Sequence, residues 1–165
     1  LFDYSLIKLK NFHNQLLHED LALLLTTSGS TGSPKVVKLT YQNIKSNTLS
    51  IIEYLSINQN ERPITTLPMN YSFGLSIINS HLSSGATLLL TNKSLFEKEF
   101  WSFLKKEKAT SLSGVPYTFD MLKKLRFTRM DLPHLQTLTQ AGGRMNKDLN
   151  NDFVEFCKVS KKRFL

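Results

Sequence analysis

The amino-acid sequence predicts an α/β domain with a largely parallel β-sheet and flanking helices. Short apolar runs alternate along the chain with amphipathic runs, and this pattern is typical of strands joined by right-handed helical crossovers. The 165 residues, 41% of them hydrophobic, are enough for one domain with a core of its own. Leu, Ile, Val and Phe are plentiful, which excludes a disordered chain.

The first third of the chain predicts a hairpin followed by a helix. Residues 21–26 form a near-continuous apolar run, which favours a strand buried on both faces. Residues 36–39 form a second short strand, and the tight spacing of the two runs indicates a hairpin. Thr40 is suited to cap a helix that runs to about Leu55. Further elements are then expected: a strand at 64–67, a helix at 73–82 ending before Gly85, and a strand at 86–90.

The remainder of the chain continues the alternation. Ser94 and Glu97 stand in an S-x-x-E capping box, which predicts the start of a helix carrying Phe100, Phe103 and Leu104. The elements expected after it are a strand at 110–113, a short helix to about 125, a strand at 135–140, a helix from about 146 and the start of a strand at 163–165.

The chain is strongly basic, with a formal net charge of +8. Its cationic clusters fall at the ends of predicted helices, where positive charge complements the helix dipole. No helix-turn-helix, zinc finger or set of stacking aromatics accompanies them, so we expect no nucleic-acid partner. The clusters are Lys105, Lys106 and Lys108; Lys123, Lys124 and Arg126; and Lys158, Lys161, Lys162 and Arg163.

Cysteine content and hydropathy predict the cellular setting. Cys157 is the sole cysteine, so no disulfide can form within the chain, and a reducing, cytoplasmic location is expected. We see no signal peptide and no apolar run long enough to span a bilayer. The four histidines lack metal-ligand spacing, so no metal site is assigned. The chain starts at Leu1 rather than Met, which suggests a piece of a longer protein.

The stretch LTTSGSTGSPK, residues 25–35, has the composition of an anion-binding loop. Gly29 and Gly32 permit close backbone approaches, so successive amide groups can converge on one anion. Lys35 adds a mobile positive charge suited to phosphate. The loop is not a Walker A motif, because Pro34 precedes the lysine and Val36 follows it. Neutral donors come from Thr27, Ser28, Ser30 and Thr31.

This stretch resembles the phosphate-loop signature of the AMP-dependent synthetase and ligase family, T-S-G-[ST]-T-G-x-P-K-G. Residues 27–35 agree with the signature at every specified position, and Val36 replaces its final glycine. Three other segments also resemble the family. Residues 68–74 are similar to P-x-x-H-x-F-G, with Tyr71 at the aromatic or His position. Residues 114–116 match its G-V-P turn, and residues 141–145 are similar to S-G-G-A-P, with Arg144 and Met145 replacing Ala and Pro.

The resemblance implies an adenylate-forming ligase. In this family the carboxylate of an acid attacks the α-phosphate of ATP, and the acyl group then passes to a thiol, usually that of coenzyme A. The implied activity is that of an acyl-CoA synthetase, with fatty acid metabolism as its expected context. Lys35 and Tyr71 are the implied catalytic residues, and Mg²⁺ would bridge the phosphates. The implied nucleotide-binding residues are Thr27, Ser28, Gly29, Ser30, Thr31, Gly32 and Lys35 in the loop, and Gly142, Gly143 and Arg144 beside the adenine.

The resemblance also implies that residues 1–165 are part of an N-terminal AMP-binding domain. The family's Y-G-x-T-E motif would follow Leu165, and its ribose-binding aspartate and C-terminal lysine would lie further on. We therefore expect the parent protein to be the enzyme and the isolated chain to be inactive.

Two alternatives stay open. One is an adenylation domain that loads a carrier protein with an amino acid. Amino-acid-activating relatives place an aspartate near the position of Tyr71, and Asn70 and Ser72 supply no acid here, which favours a plain carboxylic acid. The other is a catalytically dead or basic nucleic-acid-binding homologue, which steeply salt-dependent DNA affinity would support.

Overall fold

The computed structural model describes residues 17–26 and 35–165, which form a hairpin, a parallel sheet and five α-helices. Strands β1 (Leu21–Thr26) and β2 (Val36–Thr40) pair antiparallel. The other five strands form one sheet, in which every pair is parallel. They are β3 (Pro63–Thr65), β4 (Leu89–Leu90), β5 (Ser111–Gly114), β6 (Thr137–Gln140) and β7 (Arg163–Phe164). The helices are α1 (Tyr41–Leu55), α2 (Ser72–Ser83), α3 (Lys98–Lys106), α4 (Pro116–Lys124) and α5 (Lys147–Val159), with a 3₁₀ turn at Phe127–Arg129. The predicted fold class and hairpin are confirmed.

The strand order of the sheet, β4-β3-β5-β6-β7, reverses direction beside β3. The chain leaves β3 toward β4 on one side and then passes back to β5, β6 and β7 on the other. Because parallel crossovers are right-handed, this reversal puts α2 on one face of the sheet and α3, α4 and α5 on the other.

The face covered by α3, α4 and α5 carries the hydrophobic core. Ile64, Leu112 and Leu138 are at most 1% exposed and belong to one cluster with the inner side chains of these helices. Phe119 of α4 and Phe153 of α5 meet edge to face, with ring centroids 5.0 Å apart. Pairs of this kind add to the stabilisation from buried area, so this face holds the sheet and its three helices together.

The face covered by α1 and α2 is lined with hydroxyl groups. Strand residues alternate between the two sides of a sheet, so the neighbours of Leu112 and Leu138 point to this second face. Those neighbours are Ser111, Ser113, Thr137 and Thr139, and all of them are buried. The second face is therefore buried but polar.

Local sequence signals account for the helix starts. The Thr40 hydroxyl accepts a hydrogen bond from the backbone N–H of Asn43, and the Asn43 side chain accepts one from the N–H of Thr40. The predicted cap of α1 is therefore confirmed as a reciprocal capping box. Pro116 occupies the first turn of α4, where its missing N–H is not needed.

The prediction that β1 is buried on both faces is wrong. Its residues are half-buried or exposed, and Leu24 is 50% exposed. Within the described residues, β1 has only β2 as a strand partner and lies outside the parallel sheet. The apolar run in the sequence therefore predicts the strand correctly, but it does not predict whether both faces of the strand are covered.

Helix α3 begins one turn later than the S-x-x-E stretch at Ser94 predicted. The Glu97 carboxylate accepts a hydrogen bond from the N–H of Ser94 at 2.6 Å, but the Ser94 hydroxyl accepts one from Phe96 rather than from Glu97. These bonds close a separate turn, so Glu97 itself caps α3, which begins at Lys98.

Three of the predicted strands are longer than the observed ones. The predicted ranges 64–67, 86–90 and 135–140 correspond to three, two and four strand residues. At their margins the backbone is used elsewhere: the N–H of Ala86 donates to the carbonyl of His81, and that of Leu135 to Leu132. The apolar runs therefore extend beyond the strands into turns, where Ala86 and Leu135 are buried but lie outside the strand pairs.

Candidate functional site

The carboxyl ends of β3, β5 and β6 bring three of the predicted motifs to one edge of the sheet. Because these strands are parallel neighbours, the segments that follow them lie side by side: residues 66–71, 114–116 and 141–144. The reversal of strand order lies between β3 and β5. Open α/β sheets bind ligands at such a reversal, beyond the carboxyl ends of the strands. We call these three segments the edge site.

Tyr71 lies where the first of these segments enters α2. It is the N-cap residue of the helix, its N–H donates to the carbonyl of Pro68 at 3.2 Å, and its side chain is 66% exposed. No side chain caps this helix, and its first turn contains no acidic residue. The positive end of the α2 dipole is therefore directed toward the edge site without an acidic residue in its own first turn to balance it.

Gly74 allows the segment before Tyr71 to lie against α2. A Cβ at this position would be 2.2 Å from the carbonyl oxygen of Pro68, closer than any real side chain comes. The glycine that ends the predicted P-x-x-H-x-F-G motif thus has a structural reason. Gly74 allows the 66–71 segment to pack closely against the helix.

Two exposed glycines contribute backbone to the edge site. Gly142 has a φ of +81°, a conformation that favours glycine, and a Cβ there would be 3.1 Å from Val115. A Cβ at Gly143 would lie 3.4 Å from the Pro116 ring. The Gln140 side chain donates to the carbonyl of Gly143 at 2.9 Å, which holds the turn. The two motifs predicted from sequence are therefore brought together.

The two departures from the family pattern have different environments. Arg144 is exposed at the edge of the sheet. Met145 is 8% exposed and belongs to the hydrophobic core. Met145 therefore anchors the segment in the interior, while the Arg144 side chain is at the surface beside the two glycines.

Of the predicted phosphate loop, residues 25–35, the two ends lie within the described residues. Thr26 and Val36 pair across the hairpin, and Lys35 is exposed immediately before β2. Leu25 and two residues of the first half of α2, Ser72 and Leu75, line a common cavity of about 470 Å³. The end of the hairpin that carries Lys35 therefore lies beside the start of α2. The other predicted loop residues, Thr27, Ser28, Gly29, Ser30, Thr31 and Gly32, lie outside the described residues.

A cavity of about 240 Å³ runs from the edge site along the hydroxyl-lined face of the sheet, beneath α1 and α2. At the edge site it is bordered by Phe73, Gln140 and Ala141. In its middle the hydroxyls of Ser113 and Thr139 are hydrogen-bonded to each other at 2.6 Å. Apart from this pair, its middle is walled largely by the apolar side chains of the two helices.

The end of the cavity remote from the edge site contains a cluster of polar side chains. The Arg163 guanidinium donates to Thr137 through Nε and Nη2 and to the carbonyl of Leu55 through Nη1. Glu61, which is 8% exposed, accepts a hydrogen bond from Thr110 and lies 3.9 Å from Arg163. We call the cluster the far end; its members are Glu61, His81, Ser111, Thr137 and Arg163.

His81 enters the far end from α2 and is 5% exposed. Its Nδ1 lies 2.8 Å from the carbonyl of Ile77, and a carbonyl only accepts, so Nδ1 carries the proton. Burial lowers the pKa of His81, while the Ile77 carbonyl and the Glu61 charge oppose that change to a smaller extent. The ring is therefore neutral at physiological pH and its Nε2 is an acceptor.

The far end was missed by the sequence analysis. His81 was grouped with the scattered histidines, and Glu61 and Ser111 were not singled out. A signal does exist in the strands: Ser-Leu-Ser and Thr-Leu-Thr alternate in β5 and β6, which indicates one apolar and one polar sheet face. Which helix covers the polar face depends on the crossovers and is not visible in the strands.

The described residues contain neither a metal-ligand cluster nor a membrane-spanning helix. In residues 17–26 and 35–165, no three His, Cys, Asp or Glu side chains are grouped so as to hold a metal ion. Across the same residues, no helix combines the length and the apolarity required to cross a bilayer.

Fold and site together define an open α/β domain with a candidate ligand site at its strand-order reversal and a cavity leading from that site. The sequence model of the family described as AMP-binding enzyme matches residues 7–162 of the chain. This chain belongs to the AMP-binding enzyme family, as its phosphate-loop signature indicated.

Individual relatives agree with this assignment. The chain is 34% identical over 143 residues to a probable CoA ligase, CCL5, of Humulus lupulus, covering 83% of this chain and 26% of that protein. It is 29% identical over 140 residues to a feruloyl-CoA synthase of an Amycolatopsis species, covering 83% and 28%. The chain thus spans about a quarter of the length of these curated relatives.

A solved structure supports the fold. O-succinylbenzoate coenzyme A synthetase from Bacillus subtilis, in complex with AMP, superimposes with a TM-score of 0.70 at 25% sequence identity. The match covers 86% of this chain and 28% of that one. The predicted α/β architecture is therefore the one found in adenylate-forming enzymes.

Proposed function

We propose that the chain is part of the N-terminal domain of an enzyme that activates a carboxylic acid with ATP as an acyl-adenylate and transfers the acyl group to coenzyme A. The observation that carries the proposal is the junction of the edge site with the cavity. An acid lying in the cavity would direct its carboxyl group out to the edge site, where the adenylation motifs meet. The likeness to a probable CoA ligase supports the same reaction.

Each part of the edge site has a proposed task. Lys35 and the loop residues from Thr27 to Gly32 would bind the β- and γ-phosphates. Tyr71, exposed at the start of α2, would border the carboxylate and the α-phosphate. The uncapped positive end of α2 would stabilise the negative charge that gathers between them.

The adenine is assigned to the turn after β6. Gly142 and Gly143 expose backbone at the edge of the sheet, so a flat ring can approach without meeting a side chain. Arg144 is exposed next to them and would contribute its planar guanidinium group. Mg²⁺ would neutralise phosphate charge when bound. Because the described residues contain no carboxylate cluster for it, we assign it no ligand in this chain.

The acyl acceptor and the cellular location of the enzyme are also proposals. A plain carboxylic acid is favoured over an amino acid, because Asn70 and Ser72 beside Tyr71 supply no acid to pair with an ammonium group. Coenzyme A is proposed as the acceptor from the likeness to a probable CoA ligase. We propose a cytoplasmic enzyme without a nucleic-acid partner. The basic clusters at the carboxyl ends of α3, α4 and α5 interact favourably with the helix dipoles, which gives them a structural reason.

The experiment that tests the proposal is carboxylate-dependent ATP–pyrophosphate exchange by the complete protein, with panels of fatty, aryl and amino acids. We expect exchange with fatty or aryl acids and, after addition of coenzyme A, formation of the acyl thioester. Exchange with amino acids alone would favour the carrier-loading alternative. A folded protein that binds ATP but exchanges with no acid would contradict the proposal.

Lys35→Ala should impair the use of ATP without disturbing the fold. Lys35 is exposed outside the strands, and loss of one charged phosphate contact costs about 2 kcal/mol, or roughly thirtyfold in kcat/KM for ATP. Lys38→Ala is the matched control, because Lys38 is an exposed lysine of β2 in the same hairpin. If the two variants used ATP equally well, the role of Lys35 would be wrong.

A further inference from the structure

The far end of the cavity contains three polar atoms to which the described residues donate no hydrogen bond. The Ser111 hydroxyl is buried without a partner. One oxygen of Glu61 has the Arg163 guanidinium as its nearest cation, at 3.9 Å, which is beyond hydrogen-bonding distance. The Nε2 atom of His81 is the third, since Nδ1 is occupied by Ile77. A buried hydroxyl is nearly always paired, so the Ser111 hydroxyl marks the place of a ligand group, and Glu61 and His81 line the same cavity.

Strand register and helix α2 bring the residues that carry these atoms to the same cavity. Ser111 pairs with Thr137, and Thr137 pairs with Arg163, so these side chains form one row across β5, β6 and β7. Glu61 meets the same row through Thr110, the residue before Ser111. His81 faces the row from α2, near enough for the Glu61 charge to act on its ring.

The character of the cluster selects the chemistry of its ligand. Glu61 and neutral His81 present acceptors, and the Ser111 hydroxyl either donates or accepts. All three nitrogens of Arg163 already donate to protein oxygens. A second carboxylate would meet the Glu61 charge with no unused cation, and burying it there is costly. A neutral hydroxyl suits the cluster, because it can donate its one hydrogen to Glu61 or to His81 and accept a hydrogen bond from the Ser111 O–H.

The size of the cavity limits the molecule that brings this group. Three residues of β6 separate the far end at Thr137 from the edge site at Gln140, a rise of about 10 Å. The volume of about 240 Å³ compares with the ~150 Å³ of an engineered apolar cavity that binds benzene. One aromatic ring with a short chain fits, and so does a medium-length aliphatic chain.

We infer that the acid activated by this enzyme carries a hydroxyl group at the end remote from its carboxyl, and that the hydroxyl binds among Glu61, His81 and Ser111. The inference rests on the proposed function, since it takes the cavity as the acyl site. Both a hydroxyaryl acid and an ω-hydroxy aliphatic acid have this chemistry, so the experiment includes both.

The test is pyrophosphate exchange by the complete protein with matched acids. The aryl series is para-hydroxycinnamate, cinnamate and para-methoxycinnamate; the aliphatic series is ω-hydroxydecanoate, ω-aminodecanoate and decanoate. In one of the two series, we expect kcat/KM to be about tenfold higher for the hydroxy acid than for its unsubstituted partner. The methoxy acid, which cannot donate, should lose that advantage.

Two serine variants connect the preference to the far end. Ser111→Ala should lower kcat/KM for the hydroxy acid severalfold more than kcat/KM for the unsubstituted acid. Ser113→Ala is the control, because Ser113 lies on the same face of the same strand but its hydroxyl is paired with Thr139. It should leave the preference unchanged. Urea unfolding of both variants verifies that they fold.

The outcomes separate this inference from the proposed function. Equal or better use of unsubstituted acids would overturn the inference alone, and so would preference for the ω-amino acid or a preference that Ser111→Ala leaves intact. Exchange with no acid at all would overturn the proposed function and, with it, this inference.

Discussion

Cys157 lies on the inner side of α5, where it is 2% exposed and belongs to the hydrophobic core. Burial raises the pKa of its thiol to about 11, with a smaller opposing effect from the Lys162 charge. A thiol in this environment stays protonated and unreactive. The single cysteine is therefore a packing residue, as its place on an amphipathic helix indicated.

The raised pKa makes stability depend on pH in the alkaline range. The unfolded thiol ionises near its ordinary value of 9.0 and the folded one near 11, so folding binds a proton between these limits. The stabilising contribution is complete below pH 9.0 and is lost as the pH rises through about 11, at a cost of roughly 2–3 kcal/mol. Urea unfolding across this range should be less steeply pH-dependent for Cys157→Ala than for the wild type. Parallel curves would contradict the assignment.

Gly74 offers a second test at a single position. Ala at 74 would place its Cβ 2.2 Å from the Pro68 carbonyl oxygen, so either the loop or the helix must move. We expect Gly74→Ala to lower the free energy of unfolding by about 1–3 kcal/mol. Gly143→Ala is the control, since its Cβ would meet Pro116 at an ordinary 3.4 Å and φ is not positive there. Equal loss in both variants would show that the close approach at Gly74 is not limiting.

Helix α1 depends on its start, because the hairpin delivers the chain to it directly. Thr40 ends β2 and caps α1 in the same residue, so its hydroxyl joins the hairpin to the helix. Thr40→Ala should cost about 1 kcal/mol of unfolding free energy, and Thr40→Ser should retain most of it, because serine caps equally well. Thermal unfolding of the two variants measures the difference. If serine were as destabilising as alanine, the capping hydrogen bond would not be the cause.

Helix α2 has the largest influence on the candidate site among the described elements. Its first turn borders the edge site through Tyr71 and Phe73, and its last turn carries His81 into the far end of the cavity. His81 follows Tyr71 by ten positions, a rise of about 15 Å along the helix axis, so one rigid element would support both ends of a bound acid.

The whole molecule consists of parts with unequal burial. The central strands of the parallel sheet are covered on both faces, whereas the β1–β2 hairpin is partly open to solvent. Local opening is easiest where few apolar contacts must break. We expect the amides of Leu23 and Leu24 in β1 to exchange with deuterium much faster than those of Leu112 and Leu138 in the sheet. Equal protection of the two groups would mean that the hairpin opens only with the core.

The sequence was sufficient for the elements, the fold class and the edge motifs. Strand and helix periodicities, the Thr40 cap, Pro116 and the phosphate-loop signature are local signals, complete within a few neighbouring residues. They led to the α/β architecture, to the hairpin, and to Tyr71, Gly142 and Gly143 as candidate site residues.

Tertiary structure was needed for the exposure of β1 and for the far end of the cavity. Whether an apolar strand is covered depends on which elements pack against it, and its own residues do not encode that. Glu61, His81, Ser111 and Arg163 come from four separate parts of the chain. They meet because parallel register aligns β5, β6 and β7 and because a right-handed crossover lays α2 over the polar face. Such long-range contacts depend on strand order and crossover handedness, which no local run of residues specifies.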